Sequence, residues 1–162
     1  MVRHTRVSGA LAVLAFALGA LGCQPRLEGQ IDCPVTEPNG AAPAGESVSP
    51  LYLTQDGLTT VLWPDGRIPF DSEGPGEIRD DGSLAVKFPF WRADGIRGQL
   101  MISGRRLDDD SPPAFGEIPE GYGDTGFQAS AIVFPTPGCW EVTARAGAAQ
   151  MRFVQKVVVQ AD

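Results

Sequence analysis

The chain has 162 residues and a formal net charge of −7 at pH 7, with 13 lysines and arginines against 20 aspartates and glutamates. That length suits one domain. An acidic chain with no basic cluster repels phosphate backbones, which excludes nucleic acid as an expected partner. Glycine (20) and proline (14) together exceed a fifth of the residues, well above average usage.

In chain order, residues 1–8 carry Arg3, His4 and Arg6 and no acid, and the apolar run "GALAVLAFALGALG" follows. This is the pattern of a signal peptide, a basic n-region before an apolar h-region. The run is shorter than the about 20 apolar residues of a membrane span. It ends on Ala20, Leu21 and Gly22 before Cys23. This resembles the lipobox of bacterial lipoproteins. In that family the cysteine thiol takes up a diacylglycerol and the chain is cut before it. Small residues admit the peptidase, and the thiol alone forms the thioether. Several buried acyl methylenes, at roughly 0.8 kcal/mol each, then hold the protein on a membrane. The family prefers Leu where Ala20 stands, and without the resemblance the segment reads as an ordinary secretory signal with a chance cysteine. Gln24 lacks the mark of an Asp after the cysteine, which retains Gram-negative lipoproteins on the inner membrane. In such a cell the resemblance therefore implies the outer membrane. Without residues 1–22, 11 basic residues face 20 acids, a net of −9.

Cys33 and Cys139 are the remaining cysteines, 106 positions apart. An even pair in an oxidising compartment is expected to form a structural disulfide. The chain-entropy model gives such a loop about 4.7 kcal/mol at most. Two free thiols are the competing reading, and the spacing does not suit zinc. Residues 34–50, "PVTEPNGAAPAGESVSP", have the composition of a disordered linker. With the bridge, that stretch becomes a surface loop and the tether is only Gln24–Asp32, at most about 30 Å long. Without it, a spacer runs to about residue 50. The expected division is a signal peptide over 1–22, lipidated Cys23 with a Pro/Gly-rich tether over 23–50, and a folded domain over 51–162.

From Leu51 the chain reads as short strands and turns. "LTTVLWPDGRIPF" holds two β-rich runs around Pro64-Asp65-Gly66, where proline presets φ and glycine accepts a positive one. In "RDDGSLAVKFPFW" the residues Leu84, Val86, Phe88 and Phe90 share a face opposite Lys87. "IRGQLMIS", "GFQASAIVFP", "CWEVTAR" and "QMRFVQKVVVQ" follow as further strands, with Trp140, Val142 and Ala144 inward. No window shows a capped 3.6-residue apolar period. About seven strands without a helix predict an all-β fold, an antiparallel sandwich. Alternation puts Cys139 in phase with Glu141, so the bridge is expected to strap the N-terminal segment across the outside or an edge, where it would block open strand edges.

"FPTPGCWEVTAR" resembles the final hairpin of bacterial immunoglobulin-like domains. The stretches "GRRLD", "GYGDTGFQ" and "PGCWEVT" are similar to a group of bacterial lipoproteins. The resemblance implies fold and location, not activity.

The only histidine is His4, inside the expected signal segment. The mature chain then has no Ser-His-Asp or Cys-His pair, and the expectation is a non-catalytic protein with no cofactor. The alternatives are a small hydrolase working with carboxylates, and a calcium-stabilised adhesion module built on Asp108, Asp109 and Asp110. EF-hand spacing is absent, and the three acids read first as a solvated turn. Trp140 is expected in the core. Trp91, out of phase with Phe88 and Phe90 and followed by Arg92, is the candidate exposed aromatic. Tyr122 in "EIPEGYGDTGF" is expected to anchor its glycine-rich loop inward, with presentation to a partner as the alternative. Trp91, Arg92 and Tyr122 are thus the candidate binding residues of an exported protein anchored in a bacterial cell or outer membrane. Its expected work is to bind an envelope protein or ligand, or to serve as an accessory subunit.

Overall fold

The structure, a computed structural model, describes residues 32–71 and 74–160. The signal segment and Cys23 lie outside the described residues. The fold is an all-β sandwich-like arrangement of two sheets over one core. The smaller sheet holds β1 (Tyr52–Gln55), β2 (Leu58–Val61), β6 (Phe90–Arg92) and β9 (Gly126–Gln128), in that spatial order. The larger runs in the order β3 (Arg67–Phe70), β12 (Ala149–Val159), β11 (Gly138–Ala146), β7 (Leu100–Arg106), β8 (Ala114–Glu117), β10 (Ala131–Phe134), β5 (Leu84–Lys87) and β4 (Glu77–Ile78). The one helical element among the described residues is the 3-10 turn Pro64–Gly66.

Two expectations need correction. The described residues form twelve strands against the seven expected: β1, β4 and β8 lie in stretches not read as strands, and two long runs each divide between the sheets. "LAVKFPFW" becomes β5 and β6, and "GFQASAIVFP" becomes β9 and β10. The two crossings lie side by side. Phe88 N–H donates to the Ser130 carbonyl at 2.9 Å, and Ser130 Oγ donates to the Phe88 carbonyl at 2.6 Å. Alternation continues through the crossing, so Leu84, Val86, Phe88 and Phe90 are all buried although they serve different sheets. The sandwich is also not wholly antiparallel. β3 pairs parallel with the end of β12, Lys156 opposite Arg67 through Val159 opposite Phe70. A parallel pair needs a long connection, and most of the domain lies between these two strands.

The inward pattern of β11 holds, with Trp140, Val142 and Ala144 buried. The Trp140 indole donates to the Thr136 carbonyl at 3.0 Å, so its one polar atom is satisfied. Phe88 stacks on Phe153 at 5.7 Å across the core.

Cys33 and Cys139 are bridged, with Cα atoms 5.5 Å apart. Cys139 lies on the outward phase of β11 yet is only 1% exposed. Past the bridge the N-terminal segment closes strand edges. Thr36 N–H donates to the Val154 carbonyl at 2.9 Å, and Val154 N–H donates to Thr36 Oγ1 at 2.8 Å. Farther along the same edge of β12, Gln150 N–H donates to Asp56 Oδ2 and Arg152 N–H to Gln55 Oε1, both at 3.0 Å. From Lys156 onward β3 takes over. The edge of β1 is treated alike. Asn39 Nδ2 donates to the Thr54 carbonyl at 2.8 Å, and Thr54 N–H donates to Asn39 Oδ1 at 3.0 Å. Within the expected tether, the stretch from Cys33 to Ala41 is therefore a surface segment docked on the sandwich. The packing explains one glycine. Gly66 has φ of +63° and a Cβ there would collide with the Val35 side chain.

Reduction of the bridge, or Cys33→Ala with Cys139→Ala, should lower stability by up to about 4 kcal/mol in urea unfolding. Amide exchange should accelerate at Val154, which Thr36 protects, but not at Gln150 or Arg152, whose partners lie in the turn after β1 and at the end of β1. Uniform acceleration at all three would contradict this division of the edge.

Candidate binding site at the loop end of the sandwich

Arg92 ends β6, pairs with Gly126 of β9 and is only 5% exposed. Its guanidinium donates to four backbone carbonyls: Gly98 at 2.8 Å, Gly123 at 2.9 Å, Thr125 at 3.1 Å and Gly126 at 3.3 Å. A planar fork of five N–H groups suits this task and a lysine ammonium does not. Burial pulls the guanidinium pKa down from its ordinary value, and the Asp124 charge opposes that shift. Arg92 is therefore corrected from a presented binding residue to the internal staple of the loop 118–126. Gly98 N–H adds a bond to the Asp124 carbonyl at 3.0 Å. Gly98 (φ +126°) must be a glycine, since a Cβ there would lie 2.7 Å from the backbone nitrogen of Gly147.

The stapled loop carries Tyr122 outward. The ring is 42% exposed, against the expectation of an inward anchor, because the carbonyl bonds to Arg92 hold the loop without it. Tyr122 rests edge-on against Phe127 at 5.9 Å, Phe127 contacts Trp91 at 5.3 Å, and Trp91 meets Tyr52 at 5.7 Å. These tilted and edge-to-face contacts suit ring quadrupoles. Trp91 is half-buried within this row, on the outer face of the smaller sheet, where it pairs with Phe127. Phe127, 45% exposed, was not singled out from the sequence.

Two depressions flank the row. The β8–β10 ladder ends at Glu117 opposite Ala131, and the chain departs through Ile118 and Pro119, which has no N–H to continue it. The gap is a groove of about 580 Å³ walled by Pro89, Ile118, Pro119, Phe127, Ala129 and Ala131, with Lys87 and Glu117 beside them. A smaller cleft of about 300 Å³ shares Ile118 and Pro119 and is lined by Gln99, Glu120, Tyr122, Asp124 and Gln128.

The remaining candidates sit elsewhere. Asp108 Oδ1 accepts from Arg106 Nε at 2.8 Å and from Cys139 N–H at 3.1 Å, and an Asp109 oxygen lies 3.7 Å from Arg106 Nη1. Asp110 is exposed, and its N–H donates to Asp109 Oδ1 at 2.8 Å. Asp108 and Asp109 thus belong to an arginine clamp beside the disulfide, and a calcium ion on Asp108 would have to displace Arg106. Among the described residues, no group of three or more His, Cys, Asp or Glu side chains is placed to hold a metal ion.

Comparison with models of known protein families, with curated proteins and with solved structures finds no match to this chain. Function has to be read from the site's own geometry.

Arg92→Met should cost about 3 kcal/mol in urea unfolding, since it leaves carbonyls without donors. Arg92→Lys should recover little of that loss. Equal stability of either variant with the parent would contradict the staple. A second expectation concerns pH. Hydrogen bonds from Ser83 lower the Asp81 pKa below 3.8, and the bond from Arg79 lowers that of Glu117 below 4.5. For Asp108, burial raises the pKa, but the Arg106 bond, the Cys139 N–H and the Arg106 charge outweigh it and leave it below 3.8. Depressed carboxylate pKa values stabilise the fold above the unfolded-state pKa, and that contribution is lost as pH falls through the folded-state value. The melting temperature should hold from pH 7 to about 5 and fall below about 4, and Asp108→Asn should flatten the fall. A melting temperature that rises on acidification would contradict the assignment.

Proposed function

We propose that this chain is a cell-envelope lipoprotein, anchored through Cys23, whose β-sandwich binds a partner or ligand without catalysis. The basic and apolar segment before Cys23 supports the anchor. The disulfide of the folded part is in keeping with an oxidising compartment.

The observation that carries the binding role is the position of the site relative to the bridge. Cys139 stands near the start of β11, and Ala146 at its end pairs with Leu100. The Arg92-stapled loop is tied to Gly98, whose Cα side abuts Gly147 just past that end. Seven residue steps separate Cys139 from Ala146, roughly 23 Å of strand. A chain tethered through Gln24–Asp32 would hold the bridge end towards the membrane and offer Tyr122, Phe127 and the two depressions on the far side. Exposed aromatic rings beside an apolar groove on a rigid frame are the usual makings of a recognition surface.

Intact mass of the protein extracted from its membranes should give a chain beginning at Cys23 with added acyl mass, and two thiols appearing only after reduction. An unlipidated chain cut elsewhere would overturn the anchor. A photo-cross-linking residue at position 127 should give adducts in cells, whereas one at Phe115, an exposed residue on the larger sheet, should not. The reverse pattern would place the binding surface elsewhere.

A further inference from the structure

The smaller cleft contains a feature that packing alone does not require. Gln128 is only 3% exposed and lines the cleft. Its Nε2 donates to the Ala129 carbonyl at 3.0 Å, and since a carbonyl can only accept, this fixes the amide's orientation. Its Oε1 accepts no hydrogen bond among the described residues. No buried side-chain polar atom among them lacks a partner, so this oxygen keeps access to solvent, and the cleft is the depression that Gln128 lines. A buried amide with one free acceptor facing a cavity is a site built for a donor.

The other walls set the chemistry. Tyr122 offers an exposed ring face and a hydroxyl. Gln99 is an exposed amide, and Glu120 and Asp124 are exposed carboxylates. Asp124 shares an open ion pair with Arg97 at 3.8 Å, which is worth little in water. The Arg92 charge behind the cleft is already committed to carbonyls. The lining therefore combines amide donors and acceptors, a hydroxyl and carboxylates with an aromatic ring, and the Asp124 charge is opposed by Arg97 and Arg92. Groups that each donate and accept, on a body with an apolar face, are the hydroxyls of a sugar ring. The acidic net charge of the chain disfavours an anionic sugar.

We propose that the cleft between Tyr122, Gln128, Gln99 and Asp124 binds a neutral saccharide, with its ring against Tyr122 and a hydroxyl donating to Gln128 Oε1. The inference rests on the reading of the loop end as the binding end. It also gives the loop a purpose that its fold alone does not, since Tyr122 contributes little to the core yet sits in a loop held by three bonds from Arg92.

The test is a titration of the oxidised chain with maltose, cellobiose and N,N′-diacetylchitobiose, followed by NMR of the Gln128 side-chain amide and the Tyr122 ring. Glucuronic acid and a blocked Ala-Lys-Ala peptide serve as controls. At least one neutral sugar should shift both groups in a saturable way, with glucuronic acid at least tenfold weaker. Tyr122→Ala should weaken that binding about tenfold, the size of one lost stacking contact. This exposed substitution should leave the spectrum unchanged away from its neighbour Phe127. Gln128→Leu should abolish the binding, and its own spectrum reports whether it folds. No shift at Gln128 and Tyr122 across the panel would overturn the proposal, as would undiminished binding by Tyr122→Ala. Binding of the lysine peptide in place of the sugars would reassign the cleft to a basic polypeptide segment. Adducts at position 127 without any sugar response would leave the binding end standing and remove only the saccharide.

Discussion

The β11–β12 hairpin is the longest paired element among the described residues, and on its other edge β12 meets a strand only from Lys156 to Val159. A long bare edge is a template for pairing with other chains. The Cys33–Cys139 bridge places the N-terminal segment where it can close that edge at Val154, while Asp56 and Gln55 close it at Gln150 and Arg152 and β3 closes the remainder. The covalent bond matters because the segment it positions is poor in apolar side chains and rich in proline and glycine, and has little buried surface of its own to offset the entropy of ordering. From Cys33 the segment passes to β1, where Asn39 pairs with both backbone groups of Thr54.

Opposite the bridge, order depends on an ion rather than a covalent bond. The loop through Gly121, Gly123 and Gly126 could take many conformations, and only Ile118 at its start packs against the core. Arg92 settles it by supplying donors to carbonyls that would otherwise need water. The cost is a buried guanidinium with no carboxylate hydrogen-bonded to it, carried by carbonyl dipoles instead. The gain is an outward Tyr122 resting on Phe127 beside a cleft walled by the stapled loop.

Much of this was legible in the residues. The all-β class, the inward row of β11 and the disulfide all follow from alternation, composition and cysteine arithmetic. Other features were not legible, for definable reasons. Period-2 alternation is the same whether a strand stays in its sheet or crosses at Phe88–Pro89 and Ala129–Ser130, so both divisions between the sheets were missed, and β1, β4 and β8, of two to four residues, are too short to show a period. Arg92 beside an exposed-phase tryptophan looks like a surface cation. Only the loop folded against it, 31 to 34 residues later, turns it inward. Phe127 and Gln128 lay within an ordinary β-rich stretch. A signal was present in the glycines on either side of Tyr122, which leave that ring little local packing, and in the uncharged Phe-Gln pair on a short edge strand.

The central claim is one of orientation: a sandwich held by its bridge end, with its aromatic cleft at the other. It is tested most directly by energy transfer from a dye to acceptor lipids, with the lipidated chain in a bilayer and the disulfide intact. The dye is introduced as a non-cysteine label at position 34 or at position 120. The account predicts strong transfer from position 34 and much weaker transfer from position 120. Equal transfer from both, or stronger transfer from position 120, would mean that the domain lies on its side or presents the cleft to the membrane, and would contradict it.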